Sequence, residues 1–452
     1  AGLMSLNANG IHLSNSSNMS FTNNEISVAG DYNIFCQNCD FSEFTYNSLN
    51  GAEYGIRATD SYYLTIEHNE IEDFLEYGVY FNSSPYSKVN HNHLVGSSEG
   101  CGKWAIYNNS NNAYADVNYN TIEYGYVNAC TNDQYGIQVR DSEVVGDTIV
   151  WTGNSSGYGI FGQRLKVVDN YINSSGDNTS TYLIYCSSND ENQRGEISNN
   201  TLYTQQSQQA IYGNYLDIEN NYLNGRVNTP DGASHDNIAI RIDGYCNIRN
   251  NEVIGFRDGV YAESDWNNEI TDNYFEVRRW GVYASNSYGN HVVENNVFNR
   301  YGNSWSDDWL IYFTNAESVS VRNNQCEATV GKGFYFNNTS VTMDHNLIVS
   351  PGRGLELTNQ AGGTILNNTI ISTENGDYGI TVSNLSTPVM RNNIVQGYST
   401  GMQINNDLMN TNVSHNALWD ISGDLYAGTA LAPLIGDPIS FNANSDSSDV
   451  YG

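Results

Sequence analysis

One six-residue pattern, aliphatic–x–x–Asn–x–aliphatic, recurs along this chain and constrains its fold more than any other feature. Residues 66–71 (IEHNEI) are one copy, and residues 89–94 (VNHNHL) and 365–370 (ILNNTI) are two others. Copies lie 21 to 30 residues apart, a period that indicates a stack of repeated supersecondary units. The central position is occupied by Asn24, Asn47, Asn69, Asn92, Asn120, Asp147, Asn170, Asn200, Asn221, Asn251, Asn273, Asn296, Asn324, Asn346, Asn368, Asn393 and Asn416.

Each repeat predicts two or three short strands, because apolar and polar residues alternate within its runs. A single repeat cannot bury its apolar face, whereas a stack of repeats buries a continuous core. Strands that meet their counterparts one turn later run parallel, and parallel crossovers are overwhelmingly right-handed. We therefore predict an all-β fold, a single-stranded right-handed parallel β-helix (solenoid) of 17 coils, one for each copy of the pattern. We expect its Asn residues to occupy the bends in left-handed backbone, and to form a ladder of amides bonded from coil to coil.

Two other repeat architectures fit the sequence less well. Propeller blades need about 40 residues each, and leucine-rich repeats carry helical signatures that these units lack. Strong helix formers are scarce, and no run shows a sustained period of 3.6 residues.

The repeat stops after Asn416, which predicts a boundary near that point. We assign residues 1–418 to the β-helix and residues 419–452, with four Gly and two Pro, to a C-terminal closing segment. Such a segment is expected because the open end of a solenoid exposes strand edges and apolar core. No equivalent segment is evident at the N-terminal end, so we expect the chain to be part of a longer protein.

The charge balance excludes several classes of partner. Eighteen basic residues face 50 acidic ones, a formal net charge of −32. Such a surface repels nucleic acid and anionic membranes, and it disfavours acidic glycans unless cations intervene. No run of about 18 apolar residues is present, so we predict no membrane span.

The seven cysteines leave at least one unpaired within the chain. Cys101 and Cys130 precede the first strands of adjacent units and are the best candidate for a disulfide, which fits an oxidising compartment. Other cysteines fall on inward positions and are expected to be small core residues: Cys36, Cys186, Cys246 and Cys326. Cys36 and Cys39 have metal-ligand spacing, but no second Cys or His pair accompanies them.

A column of tyrosines is the clearest surface feature that the repeat predicts. These residues share the outward position after the inward aliphatic of the first strand: Tyr80, Tyr107, Tyr185, Tyr212, Tyr261, Tyr283, Tyr312 and Tyr335. One interpretation is that Tyr favours strands and shields the sheet. The other is a contact track for sugar rings or for a neighbouring copy of the protein. A second aromatic set precedes the Gly of each unit and is equally explained by corner packing: Tyr54, Tyr77, Trp104, Tyr135, Tyr158, Tyr182, Trp280, Trp309 and Tyr378.

Groups suited to acid–base chemistry are sparse. Lys332 and Arg353 hold the same position in successive units, and so do Tyr335 and Glu356 three residues later. A cation that stabilises an enolate, with a Tyr acid, is the equipment for β-elimination of a uronate, although unrelated surface residues could also coincide in this way.

Two further groups of polar residues have side chains suited to a catalytic or metal site. Asp307 and Asp308 could act as the two carboxyl groups of a glycosidase, but adjacent loop residues rarely reach the required separation. Loops rich in Asp and Asn, such as residues 187–192, could hold Ca²⁺, but none has EF-hand spacing. The eight His are scattered without metal-ligand spacing, so we predict no cofactor and no transition-metal site.

At its Gly-Ile and Asn-x-Ile pairs (Gly55-Ile56 with Asn69-Glu70-Ile71), the chain resembles the right-handed parallel β-helix repeat superfamily. That group includes pectate lyases, polygalacturonases, mannuronan epimerases, phage tailspikes and bacterial surface proteins, so the resemblance implies a fold and not one activity. The enzyme motifs do not carry over: of the polygalacturonase set only Asp307-Asp308 matches. The abundance of Asn, Ser, Thr, Tyr and Gly, with few Lys, resembles secreted bacterial β-solenoids.

Two functions remain open from the sequence. The first is a non-catalytic extracellular or cell-surface β-helix that adheres, assembles with copies of itself or contacts glycans through its stacked aromatics. The alternative is a polysaccharide-active enzyme, a uronate lyase more than a hydrolase or epimerase, working near Lys332, Arg353 and Tyr335.

Overall fold

Three short strands make up each coil, because the alternating runs of the repeat are broken by bends. The computed structural model describes residues 10–27, 30–97, 103–108, 110, 113–124, 134–152, 157–175, 181–204, 209–225, 237–263, 266–302, 308–405, 412–428 and 439–441. Two units, residues 1–227 and 228–452, are distinguished by their internal contacts and are described separately. In both, each strand pairs in parallel with its counterpart one coil later, as Ile56 does with Val79 and Val260 with Val282. The predicted all-β parallel solenoid is confirmed.

Unit 1 consists of first, second and third strands that repeat in order. The first strands are Ile11–Ser14, Tyr32–Gln37, Tyr54–Thr59, Tyr77–Asn82, Trp104–Asn108, Gln134–Arg140, Gly157–Gln163, Thr181–Ser187 and Gln209–Asn214. The second strands are Ser20–Thr22, Glu43–Thr45, Thr65–Glu67, Lys88–Asn90, Asp116–Asn118, Glu143–Val145, Lys166–Val168, Gly195–Ser198 and Leu216–Glu219. The third strands are Glu25–Ser27, Ser48–Asn50, Glu70–Phe74, His93–Gly96, Thr121–Tyr124, Thr148–Trp151, Tyr171–Ser174, Thr201–Tyr203 and Tyr222–Asn224. A 3-10 turn, Glu191–Gln193, is the one helical element among the described residues.

Unit 2 repeats the same order, with two strands that run from a third into a first position without a break, Thr369–Ser383 and Ile394–Asn405. Its other first strands are Ile238–Ile242, Asp258–Glu263, Val282–Ser285, Trp309–Thr314, Lys332–Asn337, Leu355–Thr358 and Tyr426–Gly428. Its second strands are Asn247–Arg249, Glu269–Thr271, Asn290–Glu294, Ser318–Arg322, Ser340–Asp344, Gly362–Leu366, Thr387–Arg391 and Asn412–Ser414. Its other third strands are Glu252–Phe256, Tyr274–Val277, Val297–Arg300, Gln325–Ala328, Leu347–Val349, Ala417–Trp419 and Ile439–Phe441. The last first strand, Tyr426–Gly428, and the last third strand, Ile439–Phe441, lie beyond residue 418. The closing role of residues 419–452 stays a prediction.

The core of each unit is a set of columns of aliphatic side chains. Ile56, Val79 and Ile106 are fully buried in unit 1, as are Phe334 and Leu355 in unit 2. Burying one such side chain contributes about 1.5–3 kcal/mol relative to exposure. Because a parallel register places equal positions over one another, an inward position in one coil stays inward in the next.

The asparagine ladder lies inside both units. The Asn69 Nδ2 donates to Asn92 Oδ1 at 2.9 Å in unit 1, and the Asn324 Nδ2 donates to Asn346 Oδ1 at 2.9 Å in unit 2. The same amide also donates to a backbone carbonyl of the preceding coil, as Asn69 does to Phe44 at 2.8 Å. The ladder therefore satisfies buried backbone groups as well as its own amides.

The position of the left-handed residue was predicted wrongly. We expected it at the ladder Asn, but it is the residue before, with φ of 55° at His68 and 54° at Asn250. The corner needs one left-handed residue to turn the chain from second to third strand, and the next residue then points its amide inward. Asx and His adopt this conformation more readily than most residues.

The coil around residue 147 is also more regular than its sequence suggests. The run VVGDTIVW departs from the repeat and predicted a local irregularity. Instead, Val117 pairs with Val144 and Ile122 with Ile149, in register. Asp147 takes the place of Asn in the ladder and accepts a hydrogen bond from Asn120 Nδ2 at 2.9 Å.

Candidate functional site: the aromatic faces

Two columns of rings run along the outer side of the first strands of unit 1, and together we call them the unit 1 aromatic face. The column at the strand starts stacks ring on ring, with centroids 4.9 Å apart from Tyr77 to Trp104 and from Trp104 to Tyr135. The parallel register explains this, since strand starts lie one coil apart, about 4.8 Å. Its members are Tyr54, Tyr77, Trp104, Tyr135, Tyr158 and Tyr182.

The second column of this face contains the predicted tyrosines of unit 1. Tyr80 and Tyr107 stack at 5.3 Å with ring planes 2° apart, while Tyr185 and Tyr212 meet edge to face at 74°. The column is interrupted where Gln138 pairs with Tyr107. All four tyrosines are half-buried. The members are Tyr80, Tyr107, Phe161, Tyr185 and Tyr212.

The two columns meet at steep angles. Tyr77 contacts Tyr80 at 4.7 Å with planes 71° apart, and Trp104 contacts Tyr107 at 5.6 Å and 75°. Edge-to-face and offset-stacked pairs are the favourable aromatic geometries. Because neighbours occupy the flat faces of the rings within the columns, an external ligand meets mainly ring edges and phenolic oxygens.

Burial raises the pKa of two phenols in the column of strand starts. Desolvation raises the pKa of Tyr54 to about 12, helped by the negative charge of Glu53. The pKa of Tyr77 is raised for the same reason, with the neighbouring Tyr54 adding to the effect of burial. A neutral phenol both donates and accepts hydrogen bonds.

Unit 2 carries the other four tyrosines of the predicted column, which we call the unit 2 aromatic face. The register pairs the four residues in succession, and their centroids lie 4.8, 5.1 and 4.9 Å apart. Burial raises the pKa of Tyr335 to about 12. The members are Tyr261, Tyr283, Tyr312 and Tyr335.

The residues proposed for uronate chemistry lie at the end of this face. Tyr335 pairs in register with Glu356, and Lys332 follows Trp309 in the column of strand starts. Arg353 Nη1 donates to Glu356 Oε2 at 2.6 Å, so its charge is already compensated. A protonated Tyr335 could act as an acid but not as a base at neutral pH.

The predicted carboxylate pair is only half described. Asp308 is half-buried, and its pKa is raised by desolvation against the opposing effect of Arg279 and Arg300. Asp307 lies outside the described residues, as do Cys101 and Cys130.

Sequence reasoning missed a buried charge cluster beside the same face. Asp258 has no exposed surface and binds Arg279 through two hydrogen bonds of 2.8 and 2.6 Å. Arg257 Nε donates to the same carboxylate at 2.8 Å. Arg300 is buried nearby and donates from Nη1 to the Asp308 carbonyl at 2.7 Å. Asp258 and Trp280 both directly precede the Gly of their units. This shared position could have indicated that a carboxylate replaces an aromatic ring beside the face.

Two exposed ring columns in unit 1 were also missed, although each keeps one offset from the ladder Asn. One lies six residues before it and the other one residue before it. Neighbouring rings stack 4.8 to 5.4 Å apart, and the residues have positive φ. The columns are Phe41, Tyr63, Tyr86 and Tyr114, and Tyr46, His68, His91 and Tyr119.

No bound ion is indicated by the described side chains. Glu70, Glu72 and His93 have ligand atoms within 4.8 Å of one another, but they lie on the surface, where acidic groups often gather without a metal. In the Asp-rich loop at residues 187–192, Asp190 accepts a hydrogen bond from the Asn192 N–H at 2.9 Å and caps the 3-10 turn. The expectation that Ca²⁺ could bind such loops stays a prediction.

Comparison with known proteins identifies the family. The model of the right-handed β-helix region matches residues 4–118 and 214–371, more than half of the chain. The chain therefore belongs to the right-handed β-helix family, and the predicted superfamily is confirmed. No curated protein matches.

Solved structures with some similarity include three that are named here. The A-module of Azotobacter vinelandii mannuronan C-5 epimerase AlgE4 is 13% identical, with 89% of this chain and 90% of that chain covered and a TM-score of 0.22. The AlgE6 A-module from the same organism is 12% identical, with 90% of each chain covered and a TM-score of 0.26. The receptor-binding tailspike of bacteriophage Det7 is 10% identical, with 96% and 74% covered and a TM-score of 0.16. In the described part of this chain, no helix has the length and apolar character needed to cross a membrane.

Proposed function

We propose that this chain is a non-catalytic, extracellular glycan-binding β-helix whose unit 1 aromatic face contacts an extended neutral polysaccharide. The supporting observation is the steep meeting of the two ring columns, as between Tyr77 and Tyr80. This geometry repeats ring edges and phenolic hydroxyls at every coil. A polymer with hydroxyls and C–H groups at regular intervals is complementary to such a surface.

Charge supports a neutral ligand over the other candidates. The chain carries a formal net charge of −32. Two copies of the protein repel one another at low ionic strength, and so do the protein and a polyuronate. A neutral polysaccharide meets no such barrier, which is why we rank glycan contact above assembly of like copies.

Affinity electrophoresis in gels that contain neutral polysaccharides (glucan, xylan, mannan) tests this function. We expect retardation by one of them, and a loss of affinity of about tenfold or more for Tyr80→Ala or Tyr107→Ala, as for a central aromatic contact. Tyr171→Ala is the matched control, because Tyr171 is an exposed tyrosine on a third strand of the same unit. Migration unaffected by every polysaccharide, or equal retardation of the three variants, would reject the proposal.

The uronate lyase is the second candidate, and the position of Lys332 and Tyr335 at one end of the unit 2 aromatic face favours it. A cation beside a neutral phenol can stabilise an enolate and supply a proton. Incubation with uronate glycans, with and without Ca²⁺, is read by the absorbance of unsaturated products. Product formation that is lost in Lys332→Ala or Arg353→Ala would replace the binding function by the lyase.

A further inference from the structure

A groove crosses the bends between first and second strands on another side of unit 2. Its volume is about 550 Å³, within the range of pockets that hold small molecules. Four successive coils contribute to it, which corresponds to a span of about 14 Å for three coil spacings. Its lining includes Tyr288, Asn315, Glu317, Asn338, Gln360 and Gly362.

Unequal bend lengths shape this groove. The first strands align Ser285, Thr314, Asn337 and Thr358, and the second strands align Val292, Ser320, Thr342 and Thr364. The bends between these aligned positions are residues 286–291, 315–319, 338–341 and 359–363. The number of residues in the bend therefore falls from six to five to four in successive coils and then returns to five. The longest bend forms one wall, and the groove deepens towards the shortest bend, two coils further on.

Tyr288 forms that wall and offers an open ring face. Its ring stacks on Trp266 with centroids 5.0 Å apart, and it is 53% exposed. In the next coil Glu317 lies within the bend, where its N–H donates to the Ser287 carbonyl, and no further ring stacks on Tyr288 among the described residues. Unlike the rings inside the aromatic faces, Tyr288 therefore has a face available for the C–H side of a sugar ring.

Fixed polar groups line the rest of the groove. Asn338 Nδ2 donates to Asn315 Oδ1 at 3.1 Å, and Glu317 Oε2 accepts from the Gly289 N–H at 2.9 Å. These contacts orient the amide and carboxylate groups before any ligand arrives, which lowers the ordering cost of binding. Ser287 is 1% exposed, and its Oγ has no hydrogen-bond partner in the described structure. Buried hydroxyls normally have one, but this oxygen is enclosed, so the ligand contacts come from the exposed amide and carboxylate groups of the groove.

We propose that this groove binds a short neutral oligosaccharide, with Tyr288 stacking on one sugar ring and Asn315, Glu317 and Gln360 bonding its hydroxyls. None of the described lining residues is basic, and one is a carboxylate. A uronate, sulfate or phosphate group would find no countercharge here. The site does not depend on the function proposed for the aromatic face of unit 1.

Isothermal titration of the full chain with tetrasaccharides of neutral glucan, xylan and mannan, and with a tetra-uronate, tests the assignment. We expect one neutral class to bind and the uronate not to bind. Tyr288→Ala should weaken binding about tenfold or more, as loss of a central aromatic does. Gly362→Trp should abolish binding, because an added Cβ at Gly362 meets nothing nearer than 3.7 Å and the indole would fill the groove.

Two controls separate this site from the aromatic face. Gly362→Ala adds a methyl group at ordinary contact distance, 3.7 Å from Thr387 Oγ1, and should bind as the unchanged protein does. Tyr107→Ala should leave tetrasaccharide binding intact while it weakens retention by polysaccharide gels. Circular dichroism establishes that each variant is folded. The groove assignment is wrong if no neutral tetrasaccharide binds at millimolar concentration, if the uronate binds equally well, or if folded Tyr288→Ala and Gly362→Trp both bind normally.

Discussion

Replacing Asp147 by Asn should stabilise unit 1, and the gain should grow with pH. Asp147 is fully buried in the ladder, where Oδ1 accepts from the Asn120 N–H at 2.7 Å and from Asn120 Nδ2 at 2.9 Å. Its other oxygen, Oδ2, has no partner in the described structure. A ladder Asn would donate both to the next amide, at Asn170, and to a backbone carbonyl of the preceding coil, which a carboxylate cannot do.

The magnitude follows from the protonation of this carboxyl group. Burial raises the pKa of Asp147 well above its usual range. Between the unfolded pKa, about 3.9, and the raised folded value, the folded state binds the extra proton. Stability therefore falls by roughly 1.4 kcal/mol for each pH unit across that interval, up to roughly 4 kcal/mol at pH 7. Below pH 4 both states are protonated, and the remaining gain is one hydrogen bond, about 1 kcal/mol.

Urea unfolding followed by circular dichroism at pH 4, 5.5 and 7 measures the effect, and hydrogen exchange localises it to the coils around residue 147. Asn92→Asp is the matched control, because it places the same carboxyl group at a regular position of the ladder. In the unchanged protein the Asn92 Nδ2 donates to the Ile66 carbonyl at 2.8 Å, and Asp cannot make this bond. The Asn92→Asp protein should be less stable than the original, and its loss of stability should increase as the pH rises from 4 to 7. An Asp147→Asn protein no more stable than the original at pH 7, or a gain that does not change with pH, would refute the reasoning.

Three further predictions concern buried groups. Burial lowers the pKa of His291 to about 4, so the folded protein should lose stability as the pH falls from about 6.5 towards 4. His291→Val should remove that loss, as measured by urea unfolding across this pH range. Asp258→Ala removes the buried carboxylate that two largely buried arginines, Arg257 and Arg279, both bind. It should cost about 3–5 kcal/mol in the same assay, and an unchanged unfolding midpoint would be the contrary result. Gly213→Ala should be severely destabilising because its Cβ would lie 1.6 Å from the Cys186 carbonyl oxygen, whereas Gly362→Ala should leave the melting temperature unchanged, and equal melting temperatures would contradict this.

Most of the fold could be read from the sequence because it repeats. The ladder from Asn69 onward, the inward aliphatics and the stacking of Tyr261 on Tyr283 all follow from equal offsets in successive units. The error over the left-handed residue has the same origin. A period fixes which positions align, but it does not say which of two adjacent residues, His68 or Asn69, carries the turn.

The amino-acid sequence by itself determined the class of fold, the register and the columns, since parallel pairing places equal positions over one another whatever the side chains are. Only the tertiary structure decided which side chains of different columns contact one another and what surface the unequal bends form. Asp258 joins Arg257 and Arg279, which hold the same position in successive coils, and the groove beside Tyr288 exists because neighbouring bends have different lengths. These features depend on side-chain conformations and on the differences between one coil and the next, which a repeating pattern does not encode.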